Sequence, residues 1–182
     1  DARGEAKAVF DAAELDLHAV AAGPGGAVFA GSSPDGKVYR ITSGGAASVL
    51  FDPEEKYIWA LAAAPDGTLF VGTGSKGRIY RVGADGRSTL FYDPEAEHVS
   101  ALVIDASGQL VVGTSAPGRV VRLDAAGKPF VLLESAYKEV RSLKLAAGGV
   151  IYATAAGSAG GADTTPARPV ETSVPTPLPT MS

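Results

Sequence analysis

The chain has 182 residues, 46% hydrophobic and 20% charged, which suffices for one domain with a sizeable core. Its net charge of -4 disfavours a general nucleic-acid binder, whose surface is normally basic, and no apolar run approaches the roughly 20 residues that span a bilayer. Cys and Asn are absent and Gln occurs once, at Gln109, so disulfides, thiolate catalysis and Cys-ligated zinc are excluded and amide-based ligand recognition nearly so.

In chain order, the first pattern is Val9-Phe10-Asp11, which returns as Leu50-Phe51-Asp52 and Phe91-Tyr92-Asp93. It marks residues 1–16 as an outer strand of a preceding unit. Leu17, Ile58, Val99 and Val140 then begin four equivalent segments, each 41 residues after the last. Residues 17–57 laid on 58–98 without gaps share 14 identities, and 58–98 laid on 99–139 share 12. A fixed period of this length signals a repeat architecture and governs every local assignment.

Within one period the order is strand, turn, strand, turn, strand, turn, strand. Ile58–Ala63 is followed by the turn Pro65-Asp66-Gly67, where proline presets φ and glycine takes a positive φ. Thr68–Thr73, Arg78–Val82 and Ser88–Tyr92 complete the unit, rich in β-branched and aromatic residues. Four short antiparallel strands per unit of about 40–45 residues make the β-propeller blade. The expected fold is thus all-β, a propeller of four-stranded blades with about 3.9 repeats present. Residues 17–57, 58–98 and 99–139 are full blades, and 140–157 a partial one. The 23 Gly and 12 Pro agree, since both punctuate short segments. Gly72 and Gly113 recur inside a strand and predict a bulge or a close backbone approach. Leu61, Leu69, Val71, Ile79, Leu102, Leu110, Val112 and Val120 are the expected core. After Gly157 the register fails; residues 158–182 hold five Pro with Thr, Ser, Ala and Gly, the composition of a disordered tail or linker.

Pro65-Asp66-Gly67-Thr68-Leu69-Phe70-Val71-Gly72-Thr73 followed by Gly77-Arg78-Ile79-Tyr80-Arg81 resembles the repeat of bacterial two-component-regulator-type propellers, and the wider WD-like and YVTN-like bacterial repeats. The resemblance covers residues 1–157. It implies a sensing or interaction module of a periplasmic or extracellular bacterial protein. Because the chain opens at Asp1 without a recognisable signal peptide, a processed or excised piece is expected. Three closures stay open: further blades of a larger ring, self-association of copies, or a strand from Val170–Val174.

Propeller ligands bind at the mouth of the central channel, a rule of fold analogy. One residue into each inner strand the copies read His18, Trp59, Ser100 and Arg141, and two residues earlier Asp16, Tyr57, His98 and Glu139. Neighbouring positions stay small or apolar. His18, Trp59, Ser100, Arg141, Tyr57 and His98 therefore form the candidate site, a polar-aromatic rim for a protein, peptide or small polar ligand. No metal and no cofactor is expected: only two His exist, and Asp52-Pro53-Glu54-Glu55 and Asp93-Pro94-Glu95 lack the alternating oxygens of a calcium loop. No Gly-x-Ser-x-Gly elbow, P-loop or dinucleotide fingerprint occurs, and Ser, His and Asp follow no triad order. A non-catalytic binding module is the leading expectation. A fragment of a propeller hydrolase or lyase, with catalytic residues in other blades, is the alternative.

Overall fold

A computed structural model describes residues 4, 6 and 8–157; the Pro- and Thr-rich stretch 158–182 lies outside the described residues. Three four-stranded antiparallel sheets follow one another along the chain. The first holds β1 (Asp16–Ala22), β2 (Val28–Ser33), β3 (Val38–Ile41) and β4 (Ala47–Phe51). The second holds β5 (Ile58–Ala63), β6 (Leu69–Thr73), β7 (Ile79–Val82) and β8 (Ser88–Tyr92). The third holds β9 (His98–Ile104), β10 (Leu110–Ser115), β11 (Arg119–Leu123) and β12 (Pro129–Glu134). A hairpin, β13 (Glu139–Leu145) and β14 (Ile151–Ala156), touches the third sheet's ladder only at Ser115–Glu139. It is the inner half of a fourth blade. The only helical turns among the described residues are Pro24–Gly26 and Ala147–Gly149, so no helix there is long enough to cross a membrane.

The architecture is a β-propeller arc, and its cores lie between blades rather than within them. Blade one contributes Ala19, Phe29, Val38 and Phe51 to the first seam, and blade two answers with Ile58, Leu61, Leu69, Val71 and Val82. Ala60, Ala62 and Ile79 meet Val99, Leu102, Leu110, Val112, Val121 and Leu123 in the second. Ala101, Val111 and Val120 meet Val140 and Leu143 in the third. All eight expected core residues are buried. Because each inner blade is covered on both faces, its strands need no polar alternation.

The second-strand glycines explain how the blades approach. A Cβ on Gly72 would sit 2.5 Å from Val99 Cγ1, and one on Gly113 2.8 Å from Val140 Cγ1. Gly31 stands equally close to Ile58. Each glycine is a notch for the β-branched residue that opens the next inner strand. Beside each notch the ladder also slips by one residue, so both of the expected features, bulge and close approach, are present.

The sequence places an outer strand within residues 1–16, yet none of the described residues before Asp16 forms a strand. Among the described residues no strand lies beside it to supply hydrogen-bond partners. Its packing role survives: the Phe10 ring lies 4.8 Å from Tyr39, as Phe51 lies 5.3 Å from Tyr80 one repeat later. Glu14 adds a polar tie, accepting hydrogen bonds from Lys37 Nζ and the Tyr39 hydroxyl, each at 2.7 Å. The same columns recur as Glu55 and Arg78, 3.7 Å apart. The recurrent Arg40, Arg81 and Arg122 serve the frame: Arg81 lies 6.0 Å over the Phe91 ring, and Arg122 Nε is 3.4 Å from Asp105.

Candidate functional site

All four inner strands carry a β-bulge at the same place. The pairing of β1 with β2 steps from Leu17–Ser32 to Ala19–Gly31 and leaves His18 over. Trp59, Ser100 and Arg141 are left over in the same way between β5 and β6, β9 and β10, and β13 and β14. A bulge bends the strand and re-aims the extra side chain. The four positions singled out by their variability are thus the four that the backbone turns out of the ladder. The frame is constant there and the side chain is free to differ.

Trp59 is the centre of the cluster. Its ring lies 4.8 Å from His18, 5.5 Å from Tyr57 in a stacked arrangement, and 5.7 Å from His98. Gly74 lies against the indole nitrogen with no room for a side chain, and that nitrogen is buried without a hydrogen-bond partner. The residue itself is half-buried.

A pocket of about 470 Å³ opens beside it, lined by Trp59, His98, Ser100, Ser115, Glu139 and Arg141. His18 and Tyr57 stand outside this pocket and back the indole instead. Ser115, not among the residues expected from the sequence, occupies the column of Ser33 and Gly74 at the end of the second strand; its position next to the bulge was the available signal. His98 Nδ1 accepts a hydrogen bond from the Ser75 amide at 3.3 Å. In the neutral ring this assigns the proton to Nε2, which points a donor outward and lies 3.7 Å from Glu97. Ser100 donates towards the Val140 and Gly113 carbonyls, the latter at 3.2 Å, and so ties blade three to blade four. Arg141 Nε donates to Glu139 Oε2 at 3.2 Å and remains exposed.

A pocket of similar volume lies elsewhere, among Asp105, Ser107, Arg122, Leu145 and the 146–149 turn. Its one carboxylate is committed to the frame, since the amides of Ser107 and Gln109 donate to Asp105 Oδ1 at 2.9 and 3.0 Å. Asp52 and Asp93 cap their own turns, accepting from the Glu54 and Glu95 amides at 3.2 and 3.1 Å. Among the described residues no three His, Asp or Glu side chains gather as a metal site.

No family model and no curated protein matches this chain. Solved structures do. Virginiamycin B lyase from Staphylococcus aureus, a catalytically inactive variant with quinupristin, superposes with a TM-score of 0.68 at 17% identity over 76% of this chain and 48% of that one. The propeller chain of a nidogen/laminin complex gives 0.64 at 16% identity, covering 72% and 53%. Regucalcin from Agrobacterium tumefaciens, a calcium-binding protein, gives 0.57 at 22% identity, covering 68% and 47%. These likenesses establish the propeller fold. The chain spans about half the length of the structures it matches.

Proposed function

We propose that this propeller module binds a ligand at the bulge face, with Trp59 as the apolar wall and Arg141, His98 and Glu139 as the polar grip. The observation that carries the reading is the bulge repeated at His18, Trp59, Ser100 and Arg141, which presents dissimilar side chains from an invariant frame. An aromatic wall supplies contact area at low entropy cost, and a guanidinium adds a planar fork for carboxylates. The fitting ligand class is a short peptide carrying an aromatic group and a free carboxylate, whose amine faces Glu139.

Binding without catalysis agrees with how the polar groups are engaged. The Ser100 hydroxyl is directed to carbonyls, His98 Nδ1 is occupied by an amide, and Glu139 holds Arg141. No nucleophile here has a free base beside it. One observation favours a second reading, in which the arc is part of a lyase or hydrolase ring: lyases and a putative gluconolactonase are among the matched structures, each about twice its span.

Trp59 is the only tryptophan, so its fluorescence reports this pocket alone. Titration with Gly-Tyr-Gly, and separately with quinupristin, tests the two readings. Saturable emission change with the peptide, abolished in Arg141→Ala without loss of fold, supports binding. An unmoved spectrum with the peptide refutes it, and a response to quinupristin alone favours the lyase reading.

A further inference from the structure

The seam between blades two and three holds a cavity at the end of β5 opposite to Trp59, and both of its walls belong to complete four-stranded blades. It measures about 180 Å³. Asp66, Thr68, Phe70, Arg81 and Phe91 line it from blade two, and Asp124 from the β11–β12 turn of blade three. The matching place between blades one and two is filled. There Pro24 reaches across, its Cγ 3.9 Å from where a Cβ on Gly67 would stand; one period on, a Cβ on Gly108 would meet nothing within 4 Å. The polar lining is special to this seam as well. One period earlier the columns of Asp66, Thr68 and Asp124 read Gly25, Ala27 and Gly83. The frame is therefore built without these three polar side chains, and they gather where the frame leaves a space.

Arg81 belongs to the frame in every copy, but here its charge is unanswered. In blade three Asp105 stands 3.4 Å from Arg122 Nε, whereas the column of Asp105 reads Ala64 in blade two. The Phe91 ring, 6.0 Å from the guanidinium carbon, takes up the plane of Arg81 and leaves its charge. The ion pairs among the described residues include neither Arg81 nor Asp66 nor Asp124. Hydrogen bonds from Thr68 hold the Asp66 carboxyl below its ordinary value, and the Arg81 charge adds to this. The turns engage Oδ1 of each aspartate: the Thr68 amide donates to Asp66 at 2.9 Å, and the Ala126 and Lys128 amides to Asp124, each at 2.9 Å.

Two negative charges and one positive thus surround a single space without closing on one another. A lone anion would meet two carboxylates, and a lone organic cation would leave the guanidinium without a partner. A metal ion would face that guanidinium and fall short of the roughly six oxygens that a hard cation takes. A zwitterion answers all three groups. The volume lies below the roughly 300 Å³ at which drug-sized pockets begin, so the zwitterion is small.

We propose that this cavity binds a free α-amino acid with a short aliphatic side chain. Its carboxylate lies on the Arg81 guanidinium, which offers a planar fork, and its ammonium, with three donors, lies between Asp66 and Asp124. The side chain rests on Phe70, Phe91 and Leu110, which form the apolar part of the wall. The site is separate from the one beside Trp59, and neither reading depends on the other.

The test is isothermal titration calorimetry of the full chain with L-valine, and in parallel with isobutyrate and isobutylamine, which carry one charge each. Saturable heat at one valine per chain is expected, with a millimolar or tighter dissociation constant because so small a ligand has few atoms to contribute. Each single-charge probe should bind about tenfold or more weakly than valine. Asp66→Asn and Asp124→Asn keep an oxygen for the turn amides and remove only the charge, and Arg81 is exposed, so these two variants and Arg81→Gln should unfold as the parent does. Each should weaken valine binding by about tenfold or more. Absence of heat with valine overturns the proposal, as does a variant that binds like the parent. Isobutylamine binding as tightly as valine overturns it in favour of a plain cation site. Trp59 emission should stay unmoved throughout; a change on adding valine places the amino acid at the other rim and overturns the assignment to this cavity.

Discussion

The face that blade three turns to blade four and the outer face of the β13–β14 hairpin occupy the same place in the repeat and are built from opposite chemistry. Blade three presents Ala101, Val103, Val111 and Gly113 to its neighbour; one period on, the hairpin presents Ser142, Lys144, Tyr152 and Thr154. The first set is packed against Val140 and Leu143, and the second is exposed, with the Ser142 and Thr154 hydroxyls 2.8 Å apart. Thr154 fills the column where Gly31, Gly72 and Gly113 make a notch. The other end of the arc shows the complement. Val20 is 67% exposed, while its counterparts Leu61, Leu102 and Leu143 are all at or below 8%. A repeat position therefore has no fixed energetic value; the neighbour that covers it supplies the value, as nearest-neighbour models of repeat proteins hold.

The largest expected effect exploits that contrast. Leu61→Ala should destabilise the fold by about 2–5 kcal/mol, the usual range for a buried large-to-small change. Val20→Ala, the same column, should stay within about 0.5 kcal/mol because water already reaches it. Chemical denaturation of the two variants checks this, and equal losses would mean that both faces of blade one are covered in solution.

Next in size is the notch. Gly72→Ala places a methyl 2.5 Å from Val99 Cγ1. The blade must part or the side chain leave its rotamer, at roughly 1–3 kcal/mol. Thr154→Gly meets no such neighbour and should lose about 1 kcal/mol at most, from the Ser142 contact and strand propensity. Comparable losses from both changes would refute the notch.

Much of this frame was legible in the sequence because the period is gapless. Gly72 and Gly113 pointed to bulge and close approach, since a glycine kept in a strand marks a place where a Cβ has no room. The exposed hairpin face was legible too: Thr154 in a glycine column and Lys144 in an aliphatic one are polar where the seam is apolar. The paired columns Glu14–Lys37 and Glu55–Arg78 carried their own signal, opposite charges 23 residues apart in successive copies. What the sequence hid was the side-chain engagement at the site. That Ser100 spends its hydroxyl on the Val140 carbonyl depends on the distance between two inner strands, 40 residues apart in sequence. The Ser75 amide's approach to His98 depends on a loop shape that no residue pattern encodes.

A smaller, pH-dependent effect separates the tied first blade from the uncovered hairpin. The Lys37 and Tyr39 hydrogen bonds hold the Glu14 carboxyl below its ordinary value of 4.5. A folded-state value below the unfolded one gives stability that is full above the ordinary range and lost as pH falls through the folded value. Glu14→Gln should thus lower the melting temperature at neutral pH, and the gap to the parent should close on acidification below 4.5. A gap that is constant with pH would show that the carboxylate charge contributes nothing.

The most direct test of the comparison reads association rather than fold stability. Replacing Ser142→Ala, Lys144→Val, Tyr152→Val and Thr154→Gly together rewrites the hairpin's outer face as blade three's. Each is an exposed position, so unfolding should shift by roughly 1 kcal/mol or less per site. The new face, however, reproduces the one that receives Val140 and Leu143, and among the described residues their counterparts, Leu17 and Val20, stand exposed on β1. The two surfaces lie at opposite ends of the arc, so the contact is heterologous and joins copies head to tail, as a ring or an open fibre. Sedimentation velocity across a concentration series should therefore show association in the fourfold variant beyond that of the parent. If it sediments as the parent does, then apolar columns and a notch are insufficient to make a seam, and the bulges and connecting loops that set blade spacing carry the remaining specificity.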